Sequence, residues 1–307
     1  MVMPTSHLRL VTAFALVYVI WGSTYLGIRF AIETIPPFLM AGVRFVIAGG
    51  ILYAFVMLRG ARAPSRRQWV AASIIGALLL LGGNGAVVWA ELRVPSGLVA
   101  LLVATEPLCV VLIDWARPRG RRPRPGELIG LMLGFAGVVI LVSPAELVGG
   151  GLQIDPLGAV VVLFAAVSWA LGSIYSRHAP AHESAFLMTG MKMLTGGFLL
   201  LLAGTAAGEW SRLDVGAISA RSWFALAYLI VFGALIAFTA YIWLLKNTTL
   251  ARASTYAYVN PIVAVLLGWL LVSEPMNSRV IAAAAVIVAG AVIVVRSHTS
   301  PVADDVS

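Results

Sequence analysis

The sequence has few of the residues that enzymes and metalloproteins use for their chemistry. It contains one cysteine, Cys109, and four histidines, His7, His178, His182 and His298, all in predicted loops or tails. This leaves no disulfide, no thiolate metal site and no H-E-x-x-H zinc site. The chain also lacks a G-x-x-x-x-G-K-[ST] motif, so ATP-driven pumping through a phosphate-binding loop is excluded within it. We expect no cofactor and no metal.

Charged residues are also scarce, and long apolar stretches fill the chain instead. Only 11% of the 307 residues are charged and 61% are hydrophobic, more than the core of one water-soluble domain can bury. A bilayer core of roughly 30 Å needs about 20 helical residues per crossing. A β-barrel would alternate polar and apolar residues, whereas residues 78–81 and 281–287 are apolar throughout. We therefore predict an all-α membrane protein with ten transmembrane helices.

The ten predicted spans cover residues 10–32, 37–58, 69–90, 95–115, 126–143, 155–176, 184–206, 222–245, 252–272 and 278–296. The net charge of +8 does not indicate a nucleic-acid partner, because the basic residues follow the loops of this topology. Fourteen of them lie at the two termini and in the loops that follow the even-numbered helices, and four lie in the loops that follow the odd-numbered helices. The positive-inside rule then predicts that both termini are cytoplasmic, in a multi-pass protein of the inner membrane.

The chain contains an internal repeat. "VIWGSTY" around Trp21 returns as "VSWALGSIY" around Trp169, and Pro107 in "ATEPLCVVLIDW" corresponds to Pro261 in "YVNPIVAVLLGW". We assign residues 1–145 to the first five-helix repeat, 152–297 to the second, and 298–307 to a disordered cytoplasmic tail. Because five is odd, the two halves are inverted, as in alternating-access transporters whose substrate site lies near the midplane between the halves.

On these residues the chain resembles the EamA-type branch of the drug/metabolite transporter superfamily, and within it the ten-helix metabolite exporters of bacterial inner membranes. The motifs that carry the resemblance are "WGSTYLGIR" from Trp21, "PPFLMAGVRF" from Pro36, "GNGAVVWAE" from Gly83, "VPSGLVALLVATEP" from Val94 and "TYAYVNPIVAVLLG" from Thr255. The resemblance implies a central cavity lined by both halves and export of amino acids, related metabolites or drug-like compounds. Relatives more often carry a glycine and then an acidic residue after helix 4, where this chain has Asp114; Glu274 keeps that pattern in the second half.

Three ionisable residues are predicted to lie deep in the membrane, where each is a functional candidate. Glu106 lies about 17 Å into helix 4 at 1.5 Å per residue, which places it near the midplane. Two interpretations of it stay open: a proton carrier, or a static ion pair with Lys192 or Arg44. Either cation also suits a substrate carboxylate, and Arg44 falls in a family motif.

Pro107 and Pro261 are predicted to break helices 4 and 9 at similar depth, which would free backbone carbonyls. Asn260 can satisfy such a carbonyl or face a ligand. Asn84, between two glycines in helix 3, either joins two helices by hydrogen bonding or lines the substrate pathway.

Trp21, Trp169, Tyr256 and Tyr258 lie too far from the predicted interfaces for an aromatic belt, so they either line a cavity or pack between helices. Arg29 and Glu91 lie near the outer ends of helices 1 and 3. We interpret both as interfacial side chains first and as an outer gate second.

These observations predict a secondary transporter for a small organic solute in the lipid bilayer, with proton coupling as one possible drive. A channel or a non-transport membrane protein is the main alternative. An intramembrane hydrolase is disfavoured, since Ser23, Ser168 and Ser173 have no histidine at their depth. Small residues in helices 5 and 10 suit packing within the chain or, as an alternative, a homodimer.

Overall fold

The computed structural model describes residues 7–117, 122–142, 155–247 and 256–299, and this part of the chain is helical with ten long segments. The all-α prediction is therefore confirmed. Seven of the segments are long and apolar enough to cross a bilayer by themselves, and three are shorter apolar helices. The segments are α1 (His7–Ala31), α2 (Pro37–Leu58), α3 (Arg66–Ala90), α4 (Ser96–Ala116), α5 (Pro125–Val142), α6 (Pro156–His178), α7 (Ala185–Ala206), α8 (220–247), α9 (Tyr256–Val272) and α10 (Ser278–Thr299).

Short polar segments begin these helices. Ser65 and Gln68 form a reciprocal capping box at the start of α3, and the Ser184 side chain accepts a hydrogen bond from the Leu187 N–H in α7. Proline at the first position starts α2, where its missing N–H is not needed. The connections are short, so successive helices run antiparallel. We call the side with the start of α1 and the end of α10 the terminal face, and the other side the opposite face.

The helices present apolar side chains outward along their length. Phe164, Phe198 and Leu270 are each about 60% exposed, with values of 59%, 60% and 62%. Water does not tolerate a continuous apolar surface on this scale, whereas lipid does. The protein is a multi-pass membrane protein.

Two tight antiparallel helix pairs hold the molecule together. In α2 and α7, Gly42 lies opposite Gly197 and Gly49 opposite Gly190, while α5 and α10 meet at Gly130 and Gly290. A Cβ at Gly49 would lie 2.7 Å from the Leu194 backbone nitrogen, so only glycine permits this approach. The glycines of α5 and α10 thus pack within the chain, and a homodimer through these helices stays a prediction.

The remaining contacts repeat the same arrangement in both halves. Helix α1 packs against α8 and α9, and its repeat counterpart α6 packs against α3 and α4. The first helix of each half therefore lies against the third and fourth helices of the other half. The ten helices form two inverted five-helix repeats, and the space between them is at the centre of the molecule.

Three helices depart from regular α-geometry close to that centre. Helix α3 is π-helical over Ala77–Gly85 and α8 over Leu229–Ile236, at corresponding places in the two halves. Helix α4 is interrupted at Ala104 and Thr105 and restarts at Glu106, with Pro107 in its first turn. Such irregularities concentrate at functional sites and are tolerated in membranes where they face protein or a cavity.

The break predicted at Pro261 is absent, because α9 continues through it. Pro261 lies in the second turn of the described helix, where the missing N–H removes one hydrogen bond without ending the helix.

Candidate functional site

A central cavity lies between the two halves. Its deep part has a volume of about 150 Å³, and a wider part of about 630 Å³ adjoins it. Residues of both halves line both parts: Trp21, Leu80, Glu106, Pro107, Trp169, Phe238 and Tyr256. The wider part extends along α6 to the α6–α7 connection at Ala181 and His182, and so leads to the terminal face.

Trp21 stands at the centre of an aromatic wall. Its ring centroid lies 5.2, 5.1 and 5.0 Å from those of Phe238, Tyr241 and Tyr256. Its indole Nε1 donates a 3.2 Å hydrogen bond to the Gly233 carbonyl oxygen, inside the π-helical segment of α8. Phe238 and Tyr241 were not predicted from the sequence, since an aromatic residue in an apolar helix does not show which way it faces.

The other half repeats this contact with different residues. Ser168 Oγ donates a 2.7 Å hydrogen bond to the Leu78 carbonyl oxygen, inside the π-helical segment of α3. The Trp169 ring lies against Gly83, where a Cβ would come 2.7 Å from its Cε3 atom. Each half therefore places a side chain against the irregular helix of the other half. The side chain of Tyr258 lies outside the described residues.

Glu106 is half-buried and lines both parts of the cavity. Its place at the start of the second piece of α4 puts the carboxyl group at the positive end of a helix dipole. It makes no ion pair with Lys192 or Arg44, so the static-pair interpretation is wrong for this conformation. Lys192 instead donates to Ser176 Oγ at 3.1 Å in the wider part.

The deep part contains polar atoms that have no hydrogen-bond partner in the part of the chain that the structure describes. Arg44 is 4% exposed, its guanidinium carbon lies 4.7 Å from the Phe45 ring centroid, and its Nε and Nη1 atoms have no hydrogen-bond acceptor. The side-chain oxygens of Asn84 and Asn260 line the same space and have no donor. Buried polar groups without partners are rare in folded proteins, so these atoms are candidates for contact with a bound molecule.

At the opposite face, two glutamates hold the halves together by capping helix N-termini. Glu274, in the α9–α10 connection, accepts hydrogen bonds from Ser96 N, Ser96 Oγ and Gly97 N of α4 at 2.7, 2.7 and 2.9 Å. Glu209, in the α7–α8 connection, accepts from Phe38 N and Leu39 N of α2 at 3.2 and 2.9 Å. A carboxylate suits both the free N–H groups and the dipole of a helix start.

Two ion pairs at the opposite face also connect the two halves. Arg93 contacts Asp155 at 3.0 Å and Arg221 contacts Glu33 at 3.3 Å, each pair joining a connection of one half to the other half. The hydrogen bond from Arg93 holds the pKa of the Asp155 carboxyl below its usual value. Both pairs are exposed, so we expect them to contribute little to stability. The cavity thus leads to the terminal face, while inter-half contacts bridge the opposite face.

Arg29 and Glu91 belong to this closed side, but they differ from each other. Arg29 is exposed, and its Nη1 donates a 2.7 Å hydrogen bond to the backbone carbonyl of Glu91. The Glu91 side chain is fully buried, with 0% exposure. The interfacial interpretation of Glu91 is therefore wrong: the α3 terminus packs against α6 and α2, which removes the carboxyl group from the membrane surface.

We expect the Glu274→Gln substitution to destabilise the protein by about 1 to 2 kcal/mol, because an amide nitrogen cannot accept from the α4 N–H groups and the helix loses its negative cap. Thermal unfolding of the purified protein measures this. The matched control is Glu33→Gln, which breaks only an exposed ion pair and should change the stability by less than about 0.5 kcal/mol. If the two substitutions lower the stability equally, the helix cap contributes no more to stability than an exposed ion pair does.

These features define a class: a duplicated ten-helix membrane protein with an inverted repeat around a central polar cavity, which is the architecture of secondary transporters. The sequence profile of the EamA-like transporter family matches residues 8–143 and 156–296, one match in each half. The chain belongs to this family, and the resemblance stated from its motifs is confirmed.

Named relatives agree with this assignment. The chain is 42% identical over 280 residues to the uncharacterized inner membrane transporter YedA of Escherichia coli (strain K12), covering 90% of this chain and 87% of the relative. It is 25% identical over 287 residues to the uncharacterized transporter YvbV of Bacillus subtilis (strain 168), covering 93% and 90%. A protein of known crystal structure shares the fold, with a TM-score of 0.62, 22% identity and coverage of 96% of this chain and 100% of that chain. The protein is a membrane transporter of the EamA type in the inner membrane.

Proposed function

We propose that this transporter exports a small zwitterionic solute, such as an amino acid, by alternating access between its two inverted halves. The observation that carries the proposal is the central cavity, which leads to the terminal face while the opposite face is bridged by contacts between the halves. A molecule bound there is reachable from one side at a time. This is the property that distinguishes a transporter from an open pore.

The direction rests on the charge distribution and on the family. Arginine and lysine predominate in the loops of the terminal face, which supports a cytoplasmic terminal face with both termini inside. The described conformation is then inward-facing, the state in which an exporter loads its solute. The resemblance to metabolite exporters supports the same direction.

The chemistry of the deep part supports a solute with both charges. A carboxylate can form two parallel hydrogen bonds with the unpaired Arg44 guanidinium, and a buried cation needs such a partner. An ammonium group can bind Glu106 and the free oxygens of Asn84 and Asn260. The aromatic wall around Trp21 suits an apolar side chain.

Glu106 also supports coupling to protons. Within the described residues its carboxyl group makes no ion pair, although the charge of Arg177 acts on it. It lines the wider part of the cavity, from which water has access to it. A solute ammonium and a proton would then compete for one carboxylate. Competition of this kind links loading of the solute to release of a proton, as a proton-driven exporter requires.

The test is uptake of labelled leucine, other amino acids and a drug panel into proteoliposomes, with and without an imposed pH gradient. We expect saturable flux that follows the gradient in the natural protein and ignores it in Glu106→Gln. Glu33→Gln, which changes an exposed carboxylate outside the cavity, is the control and should keep the dependence on the gradient.

Three other results would change the proposal in different ways. Flux in the natural protein that ignores the gradient would remove the proton role of Glu106 and leave the transporter. Flux that never saturates and shows no counterflow would favour the channel alternative. Transport of cations alone, without amino acids, would contradict the zwitterionic solute.

A further inference from the structure

Glu91 is the most deeply buried acidic side chain near the closed opposite face. It lies at the C-terminal end of α3 and has 0% exposure, and neither of its carboxyl oxygens has a hydrogen-bond partner among the described residues. It does not line the cavity. Both backbone polar groups of Glu91 are hydrogen-bonded: its N–H donates to Val87 O at 3.0 Å, and its carbonyl oxygen accepts from Arg29. Only the carboxyl group is left without a partner.

The neighbouring groups do not neutralise it by contact. The charged groups close enough to act on Glu91 are Arg29 on α1, Arg44 on α2 and Glu274 in the α9–α10 connection, and Tyr25 on α1 is the titratable neighbour. Neither arginine lies within ion-pair distance of it. Arg29 uses its Nη1 on the backbone, and the Nε and Nη1 atoms of Arg44 remain free. Glu274 is a second negative charge, which makes an ionised Glu91 less favourable still.

An ionised carboxylate without hydrogen bonds in a protein interior costs several kcal/mol, whereas its neutral form costs far less. The closed opposite face therefore requires a neutral Glu91. When the halves separate at that face, water reaches the carboxyl group and the ionised form becomes the stable one. Opening releases one proton and closing takes one up.

We propose that Glu91 is a proton-binding site that links opening of the opposite face to the pH on that side. The sign follows from the two states. The closed state holds the proton and the open state does not, so the open fraction rises with pH and falls as the pH is lowered. One linked proton changes the open-to-closed ratio by at most about tenfold per pH unit. The inference rests on the proposed alternating access only in requiring that this face opens.

The experiment uses a cysteine reporter in the full-length protein in lipid nanodiscs, where both faces meet the same buffer. The reporter is Val94→Cys in a Cys109→Ala background. Val94 is 1% exposed and packs against Gly158 of α6, where a Cβ would lie 2.5 Å from its Cγ2 atom. Leu92→Cys, at 47% exposure in the same connection, is the matched control. The ratio of maleimide labelling at the two positions removes the pH dependence that the two thiols share.

We expect the labelling ratio of Val94 to Leu92 to rise with pH, by up to about tenfold per pH unit, while Glu91 is present. With Glu91→Gln, which imitates the protonated form, the ratio should stay low at every pH. Glu274→Gln should keep the pH dependence but raise the ratio at every pH, because it weakens a contact that closes this face. Replacing sodium by choline at constant pH should leave the ratio unchanged.

Each contrary result has one meaning. A ratio that rises equally with Glu91→Gln overturns the assignment but shows that the face opens, so alternating access stands. Loss of the dependence in Glu274→Gln alone assigns the proton to Glu274, and a sodium effect assigns a cation in its place. A flat ratio in the natural protein overturns the proton linkage, while the flux assay decides on transport separately.

If the Glu91→Gln variant does not fold, a second measurement on the natural protein tests the proposal. Infrared spectroscopy of the natural protein should show a protonated carboxyl absorption, and this band should shift with Glu91→Asp. If the closed protein shows no such band, the proposal is wrong.

Discussion

Replacing Arg44 by glutamine should lower the transport efficiency for leucine by about 100-fold, equivalent to about 2.7 kcal/mol, since tenfold corresponds to 1.36 kcal/mol. Arg44 is 4% exposed and has free Nε and Nη1 atoms beside the deep part of the cavity. A bidentate contact between a guanidinium and a carboxylate in such a site is strong, and glutamine cannot replace it. The measurement is initial flux into proteoliposomes over a range of leucine concentrations.

The decisive comparison is between leucine and leucinamide, which lacks the carboxylate. Arg44→Gln should lower the efficiency for leucine and leave that for leucinamide within about threefold, because the amide does not use the guanidinium charge. Arg59→Gln is the matched control: Arg59 follows α2, stacks on Phe55 and lines neither part of the cavity. An equal loss for both solutes would mean that Arg44 supports the fold and does not bind the carboxylate.

Adding one methyl group at Gly49 should destabilise the protein, while adding one at its neighbour Gly50 should not. A Cβ at Gly49 would lie 2.7 Å from Leu194 N and 2.8 Å from Gly190 O, both backbone atoms of α7. The two helices must separate to admit it, which costs about 1 to 3 kcal/mol or more. At Gly50 the nearest atom is Leu194 Cδ2 at 4.0 Å, so an ordinary contact forms.

We therefore expect opposite signs at two adjacent residues. Gly50→Ala should be neutral or stabilising by up to about 1 kcal/mol, because alanine has the higher helix propensity. Gly49→Ala should lower the thermal midpoint and the yield of folded protein from the membrane. Thermal unfolding of both variants in the same detergent measures the difference. If both substitutions shift the midpoint in the same direction, the close approach of α2 and α7 does not limit stability.

Much of the architecture follows from the order of residues alone. Ten apolar segments of about 20 residues define the helices, because a backbone in lipid must satisfy its own hydrogen bonds. The repeat of Trp21 in Trp169 and of Pro107 in Pro261 indicates two halves, and the odd number of helices in each makes them inverted. The same signals identified the family.

The site was predictable only as a list of candidates. Depth along a helix placed Glu106, Arg44 and Asn84 near the midplane, and the structure brings all three to the central cavity. Depth does not show which way a side chain points: Lys192, one of the two partners considered for Glu106, donates a hydrogen bond to Ser176 instead. Phe238 and Tyr241 gave no signal, because aromatic residues are ordinary in an apolar helix.

The sequence by itself determined the membrane class, the number of crossings and the inverted repeat, since all three depend on local hydropathy and on similarity along the chain. Only the tertiary structure decided that α4 breaks before Glu106 while α9 continues through Pro261, and that Glu274 caps α4 from the other half. It also decided that Glu91 is buried without a partner. These features depend on which surfaces of distant helices meet, and packing between helices sets that contact through shape and close approach, which hydropathy does not record.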